Sequence, residues 1–302
     1  MRDAIDACLN CGTPLDGPYC VVCGQAAKEP RRVVIGLVQD VIFDTLAIDG
    51  KLMRTIALLF LWPGRLARRY IDGQRVRHTT PFRMYLFTSL VFFITLFWVL
   101  YQNEVLPNGP AGADPPTSAL VIEETPSPDA ANAPDIDDGD GDFEESDFED
   151  APDWIRPHLQ RLAEAENRVS EDPRYFISQL QANIPRAMLL APAVYTLILA
   201  LLYIYRRKFL VYDHLIVSLY MHAALYFYLI MALLLGLIPA AGGWLAAIPL
   251  LWGALQPFAV LRQAYRSNWF SVVVKGFISN LIYAVALSFI IAFGFVVALY
   301  QS

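Results

Sequence analysis

Past residue 23 the chain has no cysteine, and nowhere does it carry G-x-S-x-G, H-E-x-x-H or a Walker loop. Those absences remove the common signatures of hydrolysis and phosphate transfer. No βαβ pattern surrounds the cysteines, which removes the usual setting of a redox Cys-x-x-Cys. Charged residues make up only 17% of the chain and are nearly missing from five long stretches. The N-terminus has no basic-then-apolar run, carrying Asp3 and Asp6 instead, so no signal peptide is expected. No inverted repeat is visible either, which weakens a transporter reading.

What is present begins with the cysteines themselves. Cys8-Leu9-Asn10-Cys11-Gly12 and Cys20-Val21-Val22-Cys23-Gly24 each form the pattern of a metal-binding knuckle. Two intervening residues curl the backbone so that both thiolates face one ion, and the glycine permits the positive-φ turn after them. Eight residues separate the knuckles, room for one short hairpin through Pro14, Asp16, Gly17 and Pro18. Four thiolates close a tetrahedral shell without a position for water. The expected cofactor is therefore one structural zinc on Cys8, Cys11, Cys20 and Cys23. A disulfide pair would suit a secreted chain, but the topology implied by the charge pattern places these thiols in a reducing compartment.

Hydrophobic residues reach 56% and mean hydropathy +0.41, too apolar for an ordinary soluble protein of 302 residues. Runs long enough to cross about 30 Å of hydrocarbon fall near residues 82–101, 186–205, 215–238, 244–261 and 276–300. The fold class is mainly α: a polytopic helical membrane protein of about five spans with a small N-terminal zinc ribbon. Charge then orients it. Residues 102–184 contain 20 Asp/Glu and 4 Lys/Arg, whereas residues 51–83 contain 8 Lys/Arg and the single acid Asp72. Arg206, Arg207 and Lys208 come after the second span, and Arg262, Arg266 and Lys275 lie between the fourth and fifth. Positive charge beside short membrane segments stays cytoplasmic. The expected location is a cytoplasmic (inner) membrane, with the N-terminus inside and the acidic loop and C-terminus outside.

This divides the chain into a zinc ribbon (1–27), a cytoplasmic amphipathic and basic segment (28–81), a first span (82–101), an acidic, partly disordered outer loop (102–184) and a four-span domain (185–302). The ribbon is too small to fold without its metal. In the second segment Val34, Leu37, Val38, Val41, Ile42 and Leu46 recur at helical spacing. A second piece, 51–62, ends at Pro63-Gly64, and charges keep both pieces from spanning. They are read as helices on the membrane surface, with packing against the spans as the alternative. Arg65, Arg68, Arg69, Arg75 and Arg77 make the juxtamembrane cluster, suited to anionic headgroups or to simple anchoring. No reading helix or stacking platform accompanies it, so nucleic acid is not an expected partner. Asp138, Asp140, Asp142 and Glu149 fit four positions of a calcium loop, but Phe143 stands where the turn needs glycine. An amphipathic helix from Trp154 to Val169 precedes the second span.

Ionisable groups inside spans are costly and raise a functional question. Asp213 and His214 open the third span, and His222 lies two turns further in, about 12 Å along the axis. His214 and His222 cannot share one metal unaided. His222 is read as a neutral, hydrogen-bonded structural histidine, with a proton relay or ligand site as the alternative. In the fourth span Pro249, Gln256 and Pro257 are expected to interrupt the helix, as broken helices do around transport sites. Gly236-x-x-x-Ala240, Gly243-x-x-x-Ala247 and Gly294-x-x-x-Ala298 would permit close helix packing, including a homo-oligomer.

The run Cys8-x-x-Cys-Gly…Tyr19-Cys-x-x-Cys-Gly-Gln25, with Pro63-Gly64…Tyr70-Ile71-Asp72-Gly73-Gln74-Arg75…Pro81-Phe82-Arg83 after it, resembles a bacterial family of unknown function. Its members join an N-terminal zinc ribbon to a multi-span membrane domain. The likeness extends to Asp213-His214-Leu215 with His222, and to Ala264-Tyr265-Arg266 with Lys275-Gly276, and departs where the family reads Glu-His at Asp213-His214. It implies the architecture and no activity. The resulting reading is a non-enzymatic adaptor or regulator binding a cytosolic protein or the lipid surface. The alternative is a small-solute or ion transporter using His222.

Overall fold

A computed structural model describes residues 6–27, 50–103, 152, 154–158, 160–161 and 173–301. The 33–49 part of the amphipathic segment, most of the acidic loop with its calcium-like pattern, and most of the helix expected after Trp154 lie outside these residues. The chain forms two compact units, Met1–Asn103 with Pro185–Ala292, and Glu104–Ile184 with Phe293–Ser302. The first unit contains all four cysteines and most of the helical residues.

The described residues are mostly helical and contain no strand, only isolated bridges. The helices are α1 (Gly50–Leu61), α2 (Pro63–Ile71), α3 (Pro81–Gln102), α4 (Pro173–Met188), α5 (Ala191–Leu202), α6 (Val211–Gly236), α7 (Gly242–Tyr265) and α8 (Trp269–Gln301). Five helical stretches are long and apolar enough to cross a membrane: Pro81–Gln102, Ile177–Leu202, Val211–Gly236, Gly242–Tyr265 and Trp269–Ala298. Each overlaps a run expected from the sequence. Pro63 and Pro81 sit in the first turns of α2 and α3, where a missing N–H costs nothing.

α6 is the hub, with 67% of its apolar stretch buried, against 11% for α8. It packs on α7, α3 and α5, and on the short helices α1 and α2. Apolar side chains left exposed on α8, among them Phe270, Phe277, Leu281 and Phe289, suit contact with hydrocarbon. α1 and α2 do not lie clear of the spans: Leu52, Leu59, Leu66, Ala67, Tyr70 and Ile71 belong to the same core as α6.

Tyrosine does much of the polar work inside. Helix ends leave carbonyls without intrahelical partners, and in a bilayer no water is at hand to satisfy them. Tyr228 donates to the carbonyl of Phe60 at the end of α1 (2.7 Å), Tyr220 to that of Thr79 (2.7 Å), and Tyr85 to that of Met188 at the end of α4 (2.9 Å). Ser218 donates to Pro192 (2.8 Å). These bonds tie α6 and α3 to chain breaks in their neighbours.

The expected interruption of the fourth span is corrected by the structure. α7 runs unbroken from Gly242 to Tyr265 with Pro249 and Pro257 inside it. A helical proline crowds the carbonyl four residues earlier and deletes one hydrogen bond. For Pro257 that earlier residue is Gly253, and the adjacent Gln256 is engaged elsewhere, its Nε2 donating to Met221 O at 2.9 Å.

Candidate metal centre and its seat on the membrane helices

The two cysteine pairs are built alike. Cys8 N–H donates to Thr13 O and Gly12 N–H to Cys8 O, both at 2.8 Å; Cys20 N–H donates to Gln25 O and Gly24 N–H to Cys20 O, also at 2.8 Å. Gly12 and Gly24 take φ of 79° and 71°, as the knuckle pattern predicts. The bridges Ala7–Pro14 and Tyr19–Ala26 close each knuckle on itself, so the fold here is two knuckles instead of a two-stranded ladder.

All four cysteines are free, and their Sγ atoms lie within 4.8 Å of one another. Cys8–Cys23 and Cys11–Cys20 approach to 3.5 Å. A tetrahedral ion with bonds of about 2.3 Å sets its sulfurs roughly 3.8 Å apart, so the arrangement fits one metal ion. Thr13 Oγ1 lies 3.3 Å from Cys11 Sγ; as a donor it holds that thiol below its ordinary value, at about 6. The Gln25 backbone N–H likewise lowers Cys23, while burial pushes Cys8 up to about 11. Among the described residues these four are the one cluster of His, Cys, Asp or Glu with metal-binding geometry.

The knuckles are seated on the turn that ends α2. Gln25 Nε2 donates to Gly73 O at 2.8 Å, and Gln25 Oε1 accepts from Arg75 N–H at 3.4 Å, a side-chain amide clamping two backbone groups. Leu9 packs on Gly73, whose φ is 96°; a Cβ there would meet Leu9 Cδ1 at 2.8 Å. From this turn contacts run into the helices. Arg75 stacks over Tyr70 (4.9 Å) and Tyr212 (5.9 Å), Asp72 pairs with Arg68 and lies 3.7 Å from Arg266, and Arg65 N–H donates to Gln263 Oε1 at 2.9 Å. The metal module leaves Val21 at 84%, Val22 at 68% and Tyr19 at 61% exposure.

Asp213, His214 and His222 are all buried, and the structure does not bring them together. Asp213 Oδ2 accepts from Leu210 N–H at 3.0 Å, closing the first turn of α6. His214 Nδ1 lies 2.6 Å from the Tyr265 hydroxyl. His222 Nδ1 donates to Ser218 O at 2.8 Å, which leaves Nε2 to accept from Tyr283 at 2.7 Å. Tyr195 and Tyr85 pack edge-on against the same ring. Sequence reasoning does not single out the partners Tyr265 and Tyr283, or the clamp Gln25–Gly73–Arg75, as site residues. Gln25, Gly73, Arg75 and Tyr265 do occur in the motif strings that carry the family resemblance, which is the one available signal.

A family model described as Protein of unknown function (DUF3667) matches residues 49–93. That stretch holds α1, α2, the Gly73 turn and the start of α3; the cysteines and the later spans lie outside it. No curated protein and no solved structure matches the chain.

Proposed function

We propose that the protein is a non-enzymatic membrane adaptor or regulator, in which one zinc ion folds the cysteine module and the module presents a binding surface for a cytosolic protein. The observation that carries this reading is the seat of the module on the helices. The module is fixed by Gln25 and Leu9 to the turn at Gly73, and Tyr19, Val21 and Val22 stay open. A closed four-thiolate site offers no position for substrate, so its value lies in holding that surface in place. Two adjacent valines at such exposure are a poor solution for water and a good one for a partner.

The positive-inside pattern supports a cytoplasmic membrane with the module on the inner side. Transport through His222 would require the ring to give up a bond to Ser218 O or to Tyr283 in a buried site, which makes it the weaker reading. The test is affinity capture from native membranes with the full chain and with a Val21→Asp/Val22→Asp variant. A partner held by the first and lost from the second, at equal membrane abundance, supports the adaptor. Identical partner sets from both would defeat it.

A further inference from the structure

Arg54, Arg69, Arg77 and His78 line one cavity of about 380 Å³ with Ala57, Leu58 and Leu61, between α1, α2 and the approach to α3. The three arginines are exposed, and among the described residues no carboxylate pairs with them. His78 is buried, with Nδ1 lacking a hydrogen-bond partner there. Its burial, and then the charges of Arg69, Arg54 and Arg77, hold it below its usual value, so all three guanidinium groups act on this one ring. The cavity therefore concentrates positive charge and a spare polar atom, with no carboxylate among the described residues in it.

The polarity of the cavity is also graded. Arg54, Ala57, Leu58 and Leu61 fall on one stripe of α1, about 10 Å from end to end. At the arginine end, Thr79 N–H donates to Thr55 Oγ1 (3.0 Å) while Thr79 O accepts from Tyr220 (2.7 Å). At the leucine end, Phe60 O accepts from Tyr228, two turns further along α6 (2.7 Å). The arginine end thus lies beside Tyr220, and the leucine end two turns further along the same spanning helix, beside Tyr228. Charge at one end and hydrocarbon at the other is the profile of an amphiphile.

We propose that this cavity binds one anionic phospholipid, with its phosphate held by Arg54, Arg69 and Arg77 over His78 and an acyl chain along Ala57, Leu58 and Leu61. Guanidinium groups match phosphate oxygens in planar, bidentate fashion, and three of them converging relieve their mutual repulsion only when an anion is present. The apolar wall selects a lipid over a free anion. The inference goes beyond the proposed protein-binding surface and rests only on the membrane placement of that reading; it needs no protein partner.

The experiment uses the full chain purified in an uncharged detergent, with thermal midpoints tracked during titration with dihexanoyl phosphatidylglycerol. The dihexanoyl phosphatidylcholine analogue and inorganic phosphate are run alongside. The anionic lipid is expected to raise the midpoint saturably, and Arg69→Gln and Arg77→Gln each to weaken it about fivefold. Leu61→Gln is expected to weaken the lipid as well, and Arg207→Gln, which removes an equal charge elsewhere, to leave it unchanged. Inorganic phosphate acting as strongly as the lipid would overturn the lipid assignment. The zwitterionic lipid acting equally, or Arg207→Gln weakening binding as much as Arg69→Gln, would overturn the site in favour of diffuse attraction. No shift with any ligand would leave the arginines to the chain's own carboxylates and overturn it too. These results are independent of the capture experiment: lipid binding lost with capture retained removes only this site, and the converse removes only the protein partner.

Discussion

His222 Nδ1 faces a backbone carbonyl at 2.8 Å, an acceptor only, so the ring donates there, and a neutral ring accepts at Nε2 from Tyr283. In the neutral ring both nitrogens are then satisfied. His222→Gln keeps a hydrogen-bonding side chain and is expected to retain the thermal midpoint and cellular phenotype. His222→Leu leaves Tyr283 unpaired and should cost about 1 kcal/mol. In a double-mutant cycle with Tyr283→Phe the two losses should be less than additive, by roughly 0.6 kcal/mol. Normal folding with loss of phenotype in His222→Gln would show that the ring's titration or ligand capacity matters and move transport ahead. At the cysteines, metal analysis of the purified chain should find one zinc per molecule. None should remain in a variant with Cys8, Cys11, Cys20 and Cys23 all changed to Ser; full zinc in that variant contradicts the site.

Among the elements, α2 is the most tightly placed. A Cβ added at Gly64 would lie 2.8 Å from Val260 Cα and 2.9 Å from Val260 O, backbone that cannot step aside as a side chain can. Gly64→Ala should therefore destabilise by about 1–3 kcal/mol, read as a lower thermal midpoint in detergent. The metal module should respond differently. In Gln25→Ala, amide hydrogen exchange should quicken at Gly73–Arg75 while the amides of Cys8 and Cys20, bonded within their own knuckles, stay protected. Equal loosening of both would mean that the clamp holds the metal fold itself. The cysteine spacing and the five apolar runs are legible in the sequence because coordination and hydrocarbon length act locally. The seating of α1 and α2 on α6 is not. Their charges argue against spanning, and the deciding contacts, such as Tyr228 with Phe60 and Gln263 with Arg65, join residues 168 and 198 positions apart. Tyr85, Tyr220 and Tyr228 read simply as apolar bulk in a hydropathy scan; only the fold shows that the hydroxyls of Tyr85 and Tyr228 close helix ends and that of Tyr220 the Thr79 carbonyl between two helices.

For the molecule as a whole, the proposed orientation rests on charge and can be checked with single cysteines in the background lacking the other four. An impermeant thiol reagent applied from outside should label Ser127→Cys and not Asn268→Cys, the latter chosen because Ser267 beside it is buried. The reverse pattern would invert the topology and take the cysteine module out of the cytosol. The central claim is that a metal-held surface, seated on the membrane helices, meets a cytosolic protein. A photo-crosslinking amino acid placed at Val22, irradiated in native membranes, addresses it most directly. The account predicts one discrete protein adduct that disappears when the four cysteines are changed to Ser. No adduct at all, or the same adduct from the cysteine-free chain, would contradict it.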